Sequence, residues 1–531
     1  MCNRYQKLSR RLVCITLILL YCFIGIPLWY KLTTVYRAQL PTQYIKSLHE
    51  NKHQDIHMVI PVYLNFSTYK FPDLDKAVQA QTDSVISNIE NGWDVNWSLQ
   101  LQNVNQNNLN YTTDFYKDKY VVQLILDDFV GCSVPYDGKD TIVFYNEESI
   151  LSNDLPFFIA QSLMEHTFKL EYNLLRKGAQ NGNKNGDSNI AIEYSPQVHI
   201  SLSVLTGKGY PVSWEIEDIL NEYFTPFRKF ISPVVNLTVD TEIIYYNDLN
   251  LNKLHNSIGN FTHDPIIEDL SAIIDLSELT GKNNYYANEK SVLNLAIVFP
   301  EHDLPHSLFK NGSPVTHEND TFAVSSFLVP QWGSLIINEH ALPSNPVKLS
   351  KAYLKPIIYK FSNEIFQLLG LSDFKESLST PMLTIDSFKR ITTIYSNLDK
   401  SVDTLRSLVD MTEELPQMAI PKQVADDVME ALDLRLEIVG FLNNPNDETD
   451  ELIWDIALRK SNELVDICEH AFFHKDMMQQ NFVPQEHKIA VYLPLLGPIS
   501  VVCFGGLIKS LKEKSLCDGN EADSEETKKE K

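Results

Sequence analysis

Most of this chain alternates apolar and polar residues at the spacings of strands and helices, but two uncharged apolar stretches stand outside that pattern. Residues 12–30 (LVCITLILLYCFIGIPLWY) and residues 489–508 (IAVYLPLLGPISVVCFGGLI) carry no charged side chain. A helix of that length rises about 28 Å, close to the roughly 30 Å hydrocarbon core of a bilayer. Two such stretches at opposite ends of the chain, each flanked by charge, predict two transmembrane helices. The first is longer than the apolar core of a cleaved signal peptide, about 7 to 15 residues. Trp29, Tyr30 and Lys31 at its end also lack the small side chains that signal peptidase needs, so it reads as an uncleaved anchor.

Between these stretches the chain changes character once. Runs rich in β-branched and aromatic residues predict strands over 57–64, 120–126, 141–145, 198–205, 292–299, 322–329 and 334–337. Helical periodicity predicts helices over 73–89, 156–175 and 214–224. Strands alternating with helices imply a mixed α/β (α+β) domain with a partly parallel sheet, and residues 178–189, poor in apolar side chains, read as a surface loop. From about residue 349 the pattern is helical. Phe388, Ile391, Tyr395, Leu398, Val402, Leu405 and Val409 keep a 3-4 spacing that puts one apolar seam on a helix over 385–411. After Pro416 and Pro421, Val424, Val428, Ala431, Val439 and Leu442 continue a stripe that Arg435 interrupts, and a further helix covers 451–474. Three helices with short connections imply an antiparallel bundle, whose seam either packs internally or docks another subunit. The expected organisation is a short terminus (1–11), a transmembrane helix (12–30), a mixed α/β domain (31–345), a helical region (346–488), a second transmembrane helix (489–508) and an acidic tail (509–531).

Charge sets the expected orientation. Arg4, Lys7, Arg10 and Arg11 precede the first span, and Lys509, Lys512 and Lys514 follow the second. Cationic flanks stay on the cytosolic side, which puts both termini in the cytosol and the large middle segment in the lumen of the secretory pathway. Asn-X-Ser/Thr sequons at Asn65, Asn96, Asn110, Asn236, Asn260, Asn311 and Asn319 are then open to glycosylation. Cys132 and Cys468 are the two cysteines of that segment, and they form either one long-range disulfide or two separate buried thiols. Lys528 and Lys529 fit a dilysine signal for retrieval to the endoplasmic reticulum, a pattern that a charged tail also produces. The net charge of −24 argues against nucleic acid and against broad adhesion to anionic lipid.

No catalytic constellation stands out. The chain has no nucleophile elbow, Cys-X-X-Cys, His-Glu-X-X-His or phosphate-binding glycine loop, and Thr206-Gly207-Lys208-Gly209 reads as a turn. Asp127 and Asp128 end a strand where metal is often held, but they lack the Asp-X-Asp spacing. His470 and His474 share a helical face beside Cys468, with no third ligand evident for zinc. Neither a cofactor nor a metal is expected. A membrane-anchored lumenal enzyme (a glycosyltransferase or hydrolase centred on Asp127 or Cys132) and an adaptor of another complex remain alternatives.

The segment GIPLWYKLTTVYRAQLP (25–41) closely resembles the first-span signature of the PIG-S family, on Gly25, Pro27, Trp29, Tyr36, Arg37, Ala38, Leu40 and Pro41. EHKIAVYLP (486–494) is similar to the family's approach to its second span, and FLVPQWGSLII (327–337) to a segment of its middle domain. The resemblance implies a non-catalytic subunit of the glycosylphosphatidylinositol (GPI) transamidase. That complex of the endoplasmic reticulum membrane replaces a carboxy-terminal signal with a GPI anchor. The resemblance also implies partners: the other transamidase subunits, including a caspase-like one that carries the cysteine-histidine machinery, with the GPI lipid or proprotein nearby. Trp29, Tyr36 and Arg37 would form a membrane-interface motif, with Arg37 anchoring at the interface or pairing with lipid phosphate or an acidic neighbour.

Overall fold

A computed structural model describes residues 36–66, 73–87, 95–104, 119–135, 138–172, 192–249, 291–304, 313–314, 324–329, 332–370, 380–415, 418–444 and 453–479, with scattered positions between 12 and 27 and between 494 and 509. Trp29, Asn110, Asn260, Asn311, Asn319, Lys528 and Lys529 lie outside the described residues. Among the described residues no helix is long and apolar enough to cross a membrane, and the two apolar stretches are described only in part. By its contacts the chain divides into two units, one of residues 1–51, 401–434 and 464–531 and the other of residues 52–400 and 435–463. The divisions within the carboxy-terminal half fall inside helices, not at the composition change near residue 345.

In the first unit, α1 (Thr42–Glu50) buries Ile45 and Leu48, one turn apart on a single face. The second unit opens with a five-stranded, mostly parallel sheet. Strand β1 (His57–Asn65) leads through α2 (Leu74–Ser87) to β2 (Asn96–Asn103), and the chain then returns to β3 (Tyr120–Leu126). After β4 (Gly131–Ser133) and β5 (Thr141–Tyr145), the strand order is β2-β1-β3-β5-β4, parallel throughout except for the edge strand β4. Two helices follow: α3 (Glu147–Leu151), capped by Asn146 Oδ1 accepting from Ser149 N, and α4 (Leu155–Ser162), which π-helical turns extend to Thr167.

A second sheet takes up the next stretch of the same unit. Its strands are β6 (Gln197–Thr206), β8 (Asn236–Tyr245), β9 (Val292–Phe299), β10 (Ser313–Pro314), β11 (Val324–Val329) and β12 (Gly333–Asn338), while β7 (Val212–Trp214) pairs with β13 (Val347–Leu349) apart from it. The order β10-β11-β12-β9-β6-β8 has a parallel centre, β12-β9-β6-β8. Short helices α5 (Ile216–Ile219) and α6 (Thr225–Ile231) lie between β7 and β8. Helix α7 (Lys351–Leu368) covers one face: Leu354, Ile357, Phe361 and Ile365 join Val198, Ile200, Leu202 and Leu295 in one core. The other face is closed by Leu205, Ala296, Val298, Leu335 and Ile337 with Leu249 and Leu304. With both faces covered, β9 is apolar almost throughout (VLNLAIVF), the signature of a buried parallel strand. Gly333, in the FLVPQWGSLII segment, has φ +149°, and a Cβ there would stand 1.8 Å from the Asn294 carbonyl oxygen of β9, so only glycine fits.

The carboxy-terminal helices are α8 (Pro381–Ile391), α9 (Asp399–Glu414), α10 (Lys422–Asn443), α11 (Ile453–Phe472) and α12 (Lys475–Gln479). The seam expected over 385–411 exists, but π-helical turns over Thr392–Leu398 rotate its face midway. Ile391 and Tyr395 are therefore only half-buried while Thr392, Thr393 and Asn397 are buried in their place. Leu398, Val402, Leu405 and Val409 are each at most 2% exposed, so this chain itself covers the seam. Arg435, the charged break in the next stripe, is buried and grips Asp55 through both carboxylate oxygens, at 2.7 and 2.9 Å. Against the burial cost, Arg435 holds the Asp55 carboxyl below its ordinary range. Strands β2 and β8 lay outside the sequence expectation. Strand β8 (NLTVDTEIIY) is an edge strand with most side chains at least partly in water, so its apolar run is weak.

Candidate functional site

The residues that sequence singled out for chemistry do not assemble. Cys132 and Cys468 are free thiols. Burial pushes the Cys132 thiol up, a hydrogen bond with Ser162 only partly opposing it. Burial pushes Cys468 up to about 12, against a hydrogen bond with Ser401. A cysteine nucleophile needs a low pKa and a base beside it, and both thiols are shifted the other way. Asp127 and Asp128 are exposed at the end of β3, where Asp127 Oδ1 accepts from Asp128 N at 2.7 Å. His470 Nδ1 lies 2.8 Å from Asp427 Oδ2, and His474 Nδ1 accepts from Asp476 N at 3.4 Å in front of α12. Among the described residues no group of three His, Cys, Asp or Glu side chains could hold a metal. The Thr206–Gly209 turn is closed on itself: Thr206 Oγ1 donates to Lys208 O at 2.8 Å, and a Cβ on Gly207 would stand 2.4 Å from Glu301 N. Of the described sequons, Asn96 and Asn236 are exposed at the first residues of β2 and β8, and Asn65 is half-buried at the end of β1.

What the molecule does build is anchorage. In the first unit, Arg37 follows the first apolar stretch closely and donates to two main-chain oxygens at the end of α9. Its Nη2 lies 2.7 Å from Thr412 O and its Nη1 3.1 Å from Leu415 O. The backbone beside it is clamped as well, with Ala38 N donating to Ile420 O at 2.9 Å and Ile420 N to Tyr36 O at 3.1 Å. Lys46 on α1 adds a contact to Glu413 at 2.6 Å. A guanidinium on the last carbonyls of a helix meets both their unsatisfied lone pairs and the negative end of the helix dipole. Arg37 is thus committed to this chain's own backbone, while Tyr36 remains exposed.

A second, fully internal constellation lies in the other unit. Arg390 of α8 is buried, its Nε 2.9 Å from Glu171 Oε1, its Nη2 also on that oxygen, and its Nη1 2.7 Å from the Tyr120 hydroxyl of β3. Ser387 Oγ donates to the other Glu171 oxygen at 2.6 Å, and Tyr120 OH donates to Asp386 at 3.1 Å. Lys139, just before β5, reaches Asp386 at 2.6 Å, and Lys389 reaches both Asp386 at 3.4 Å and Asp455 of α11 at 2.6 Å. Three cations thus meet three carboxylates. Phe168, Tyr120 and Trp454 present their rings to the guanidinium at 5.7, 5.5 and 5.2 Å. Burial works against the charged form of Asp386, but Lys139, Lys389 and Arg390 hold its carboxyl below the ordinary value. Every member has a partner of opposite charge, and the network fixes α8 against the first sheet. Sequence alone does not reveal it, because one of its direct contacts, Arg390 to Tyr120, joins residues 270 positions apart.

A smaller network backs the second sheet. Glu364 of α7, buried, accepts hydrogen bonds from Ser326 of β11 and Ser334 of β12 and pairs with Lys360 at 3.2 Å. Ser334 directly follows Gly333, so the FLVPQWGSLII segment is tied to α7 by a side chain and to β9 by a close backbone approach.

Comparison with known proteins places the chain among relatives of one family. The family model of phosphatidylinositol-glycan biosynthesis class S protein (PIG-S) matches residues 16–516. The GPI transamidase component GPI17 of Saccharomyces cerevisiae is 50% identical over 524 residues, covering 98% of this chain and 96% of the relative. The GPI-anchor transamidase component PIGS of Homo sapiens is 22% identical over 538 residues, covering 92% and 93%. The PIG-S homolog of Schizosaccharomyces pombe is 25% identical over 337 residues, covering 61% and 55%.

Proposed function

The chain belongs to the PIG-S family, and from that premise we propose that it works as a non-catalytic subunit of the GPI transamidase. The observation that carries this reading is the near-full-length match to a yeast transamidase component. The upward-shifted thiols of Cys132 and Cys468 support the non-catalytic part, because neither is disposed to act as the nucleophile. In this reading the cysteine-histidine chemistry belongs to a caspase-like partner. This chain holds subunits, proprotein tail and glycolipid together, raising their effective concentration without contributing a catalytic group.

The same proposal includes two membrane spans in the endoplasmic reticulum, with the large middle segment in the lumen. Described side chains of both apolar stretches support it: Phe23 is 75% exposed and Val502 74%, large apolar surfaces that a lipid environment would cover. Arg37 then secures the chain where it leaves the first span, its grip on the end of α9 restricting how the segment beyond the membrane pivots.

Depleting the chain and following a GPI-anchored reporter tests the function. The uncleaved proprotein should accumulate, and a chain carrying C132S and C468S together should restore anchoring fully. Loss of anchoring in that variant, with its protein level intact, would instead point to chemistry on this chain.

A further inference from the structure

The carboxyl end of the first sheet presents apolar side chains that nothing in the described fold covers. Strands β3 and β4 flank β5, so residues 127–130 must cross over the end of β5, where Asp127 N donates to Tyr145 O at 2.9 Å. Helix α3 begins two residues after β5 ends, which brings its last turn to the same end of the sheet. Leu126 is 51% exposed, Phe129 54% and Leu151 87%, with Val130 and Ile150 about two-fifths exposed beside them. Phe129 is held outward. Its ring packs on Phe144 at 5.1 Å, and Gly131 lies so close that a Cβ there would stand 2.8 Å from that ring.

The surroundings say what kind of surface fits. Asp127, Asp128, Glu147, Glu148 and Asp154 are carried by the same loop and helix ends. Lys139 is the sole Lys or Arg between residues 121 and 165, and its ammonium is spent on buried Asp386 at 2.6 Å. An anionic lipid surface would be repelled by this rim. A second copy of the chain would set one acidic rim against another. A protein face with an apolar centre and a border of lysine and arginine satisfies both the apolar patch and the charge.

We propose that the Leu126–Phe129–Leu151 face docks such a basic-rimmed protein subunit of the assembly in which this chain works. The inference rests on the transamidase-subunit reading above. It is tested with the full-length chain in its own membranes by placing a photo-crosslinking side chain at position 151 and, separately, by purifying the L126R/L151R variant. Y359R, at a residue 69% exposed on α7, is the control. The expected result is a fall of about tenfold or more in recovery of one transamidase component with L126R/L151R and not with Y359R, together with a crosslink from position 151 to that same component. If the double variant loses its cooperative melting, the single L151R variant decides, because Leu151 contributes little to the fold. Undiminished recovery of every component, or crosslinks to lipid or to a second copy alone, would overturn the docking face. If the unmodified chain brings down no transamidase component at all, the subunit reading fails first.

Discussion

Replacing Arg390 by Met tests whether the buried charge network holds α8 to the first sheet. The substitution removes the guanidinium that satisfies one Glu171 oxygen and the Tyr120 hydroxyl, and leaves Glu171, which is 0% exposed, with the Ser387 hydroxyl. Breaking a buried ion pair by removing one partner costs about 3–5 kcal/mol, since the remaining charge can neither pair nor reach water. For a unit of roughly 380 residues, with an unfolding entropy near 2.1 cal/mol/K per residue, that loss lowers the melting temperature by about 4–6 °C. Thermal unfolding of the detergent-solubilised chain measures it. Adding Glu171→Leu to Arg390→Met removes the stranded carboxylate, so the double variant should melt above the sum of the two single losses. A shift under about 1 °C for R390M, or strict additivity in the double variant, would refute the view that these charges stabilise the fold by pairing.

Further outcomes follow from the same contacts. Asp386 is held below its ordinary value of 3.8, so its contribution is present above that value and is lost as pH falls through the lower folded one; melting should lose nothing from this group between pH 7 and 5 and should drop below about pH 4. Arg37→Ala removes two charge-assisted bonds worth about 1–3 kcal/mol and should raise amide exchange across 412–420, with Arg37→Lys intermediate; unchanged exchange would contradict the clamp. Cys468, at a pKa of about 12, should react with iodoacetamide at pH 8 about a thousandfold more slowly in the native chain than after denaturation, and rapid native labelling read by mass spectrometry would contradict its burial. Gly333→Ala should destabilise by about 2–4 kcal/mol, seen as a lower steady-state level and melting temperature, because the new methyl group meets the Asn294 carbonyl.

The buried parallel strands were legible because their apolar runs are nearly unbroken: the expected ranges 120–126, 141–145 and 292–299 coincide with β3, β5 and β9. Strand β2 (NWSLQLQN) alternates over too few apolar residues to stand out, and β8 spends most of its side chains on water. The heptad spacing located α8 and α9 but carried no sign of the π-helical turns between them, which depend on what packs around Thr392 and Asn397. Arg435 showed in sequence as a flaw in an apolar stripe, and its cause, the bidentate grip on Asp55, lies 380 residues away. Lys389 and Arg390 flank the seam where a helix normally meets water, so only the fold shows that both are buried. Arg37 stood out through its family motif, whereas its partners, two backbone oxygens, have no side-chain signature at all.

Purification from native membranes tests most directly the proposal that this chain works as a non-catalytic subunit of the GPI transamidase. With an affinity tag inserted in the tail and a mild detergent, a caspase-like cysteine protease and the other transamidase components should be recovered in near-equal amounts with this chain. Recovery of the chain alone, or with unrelated partners, would contradict it.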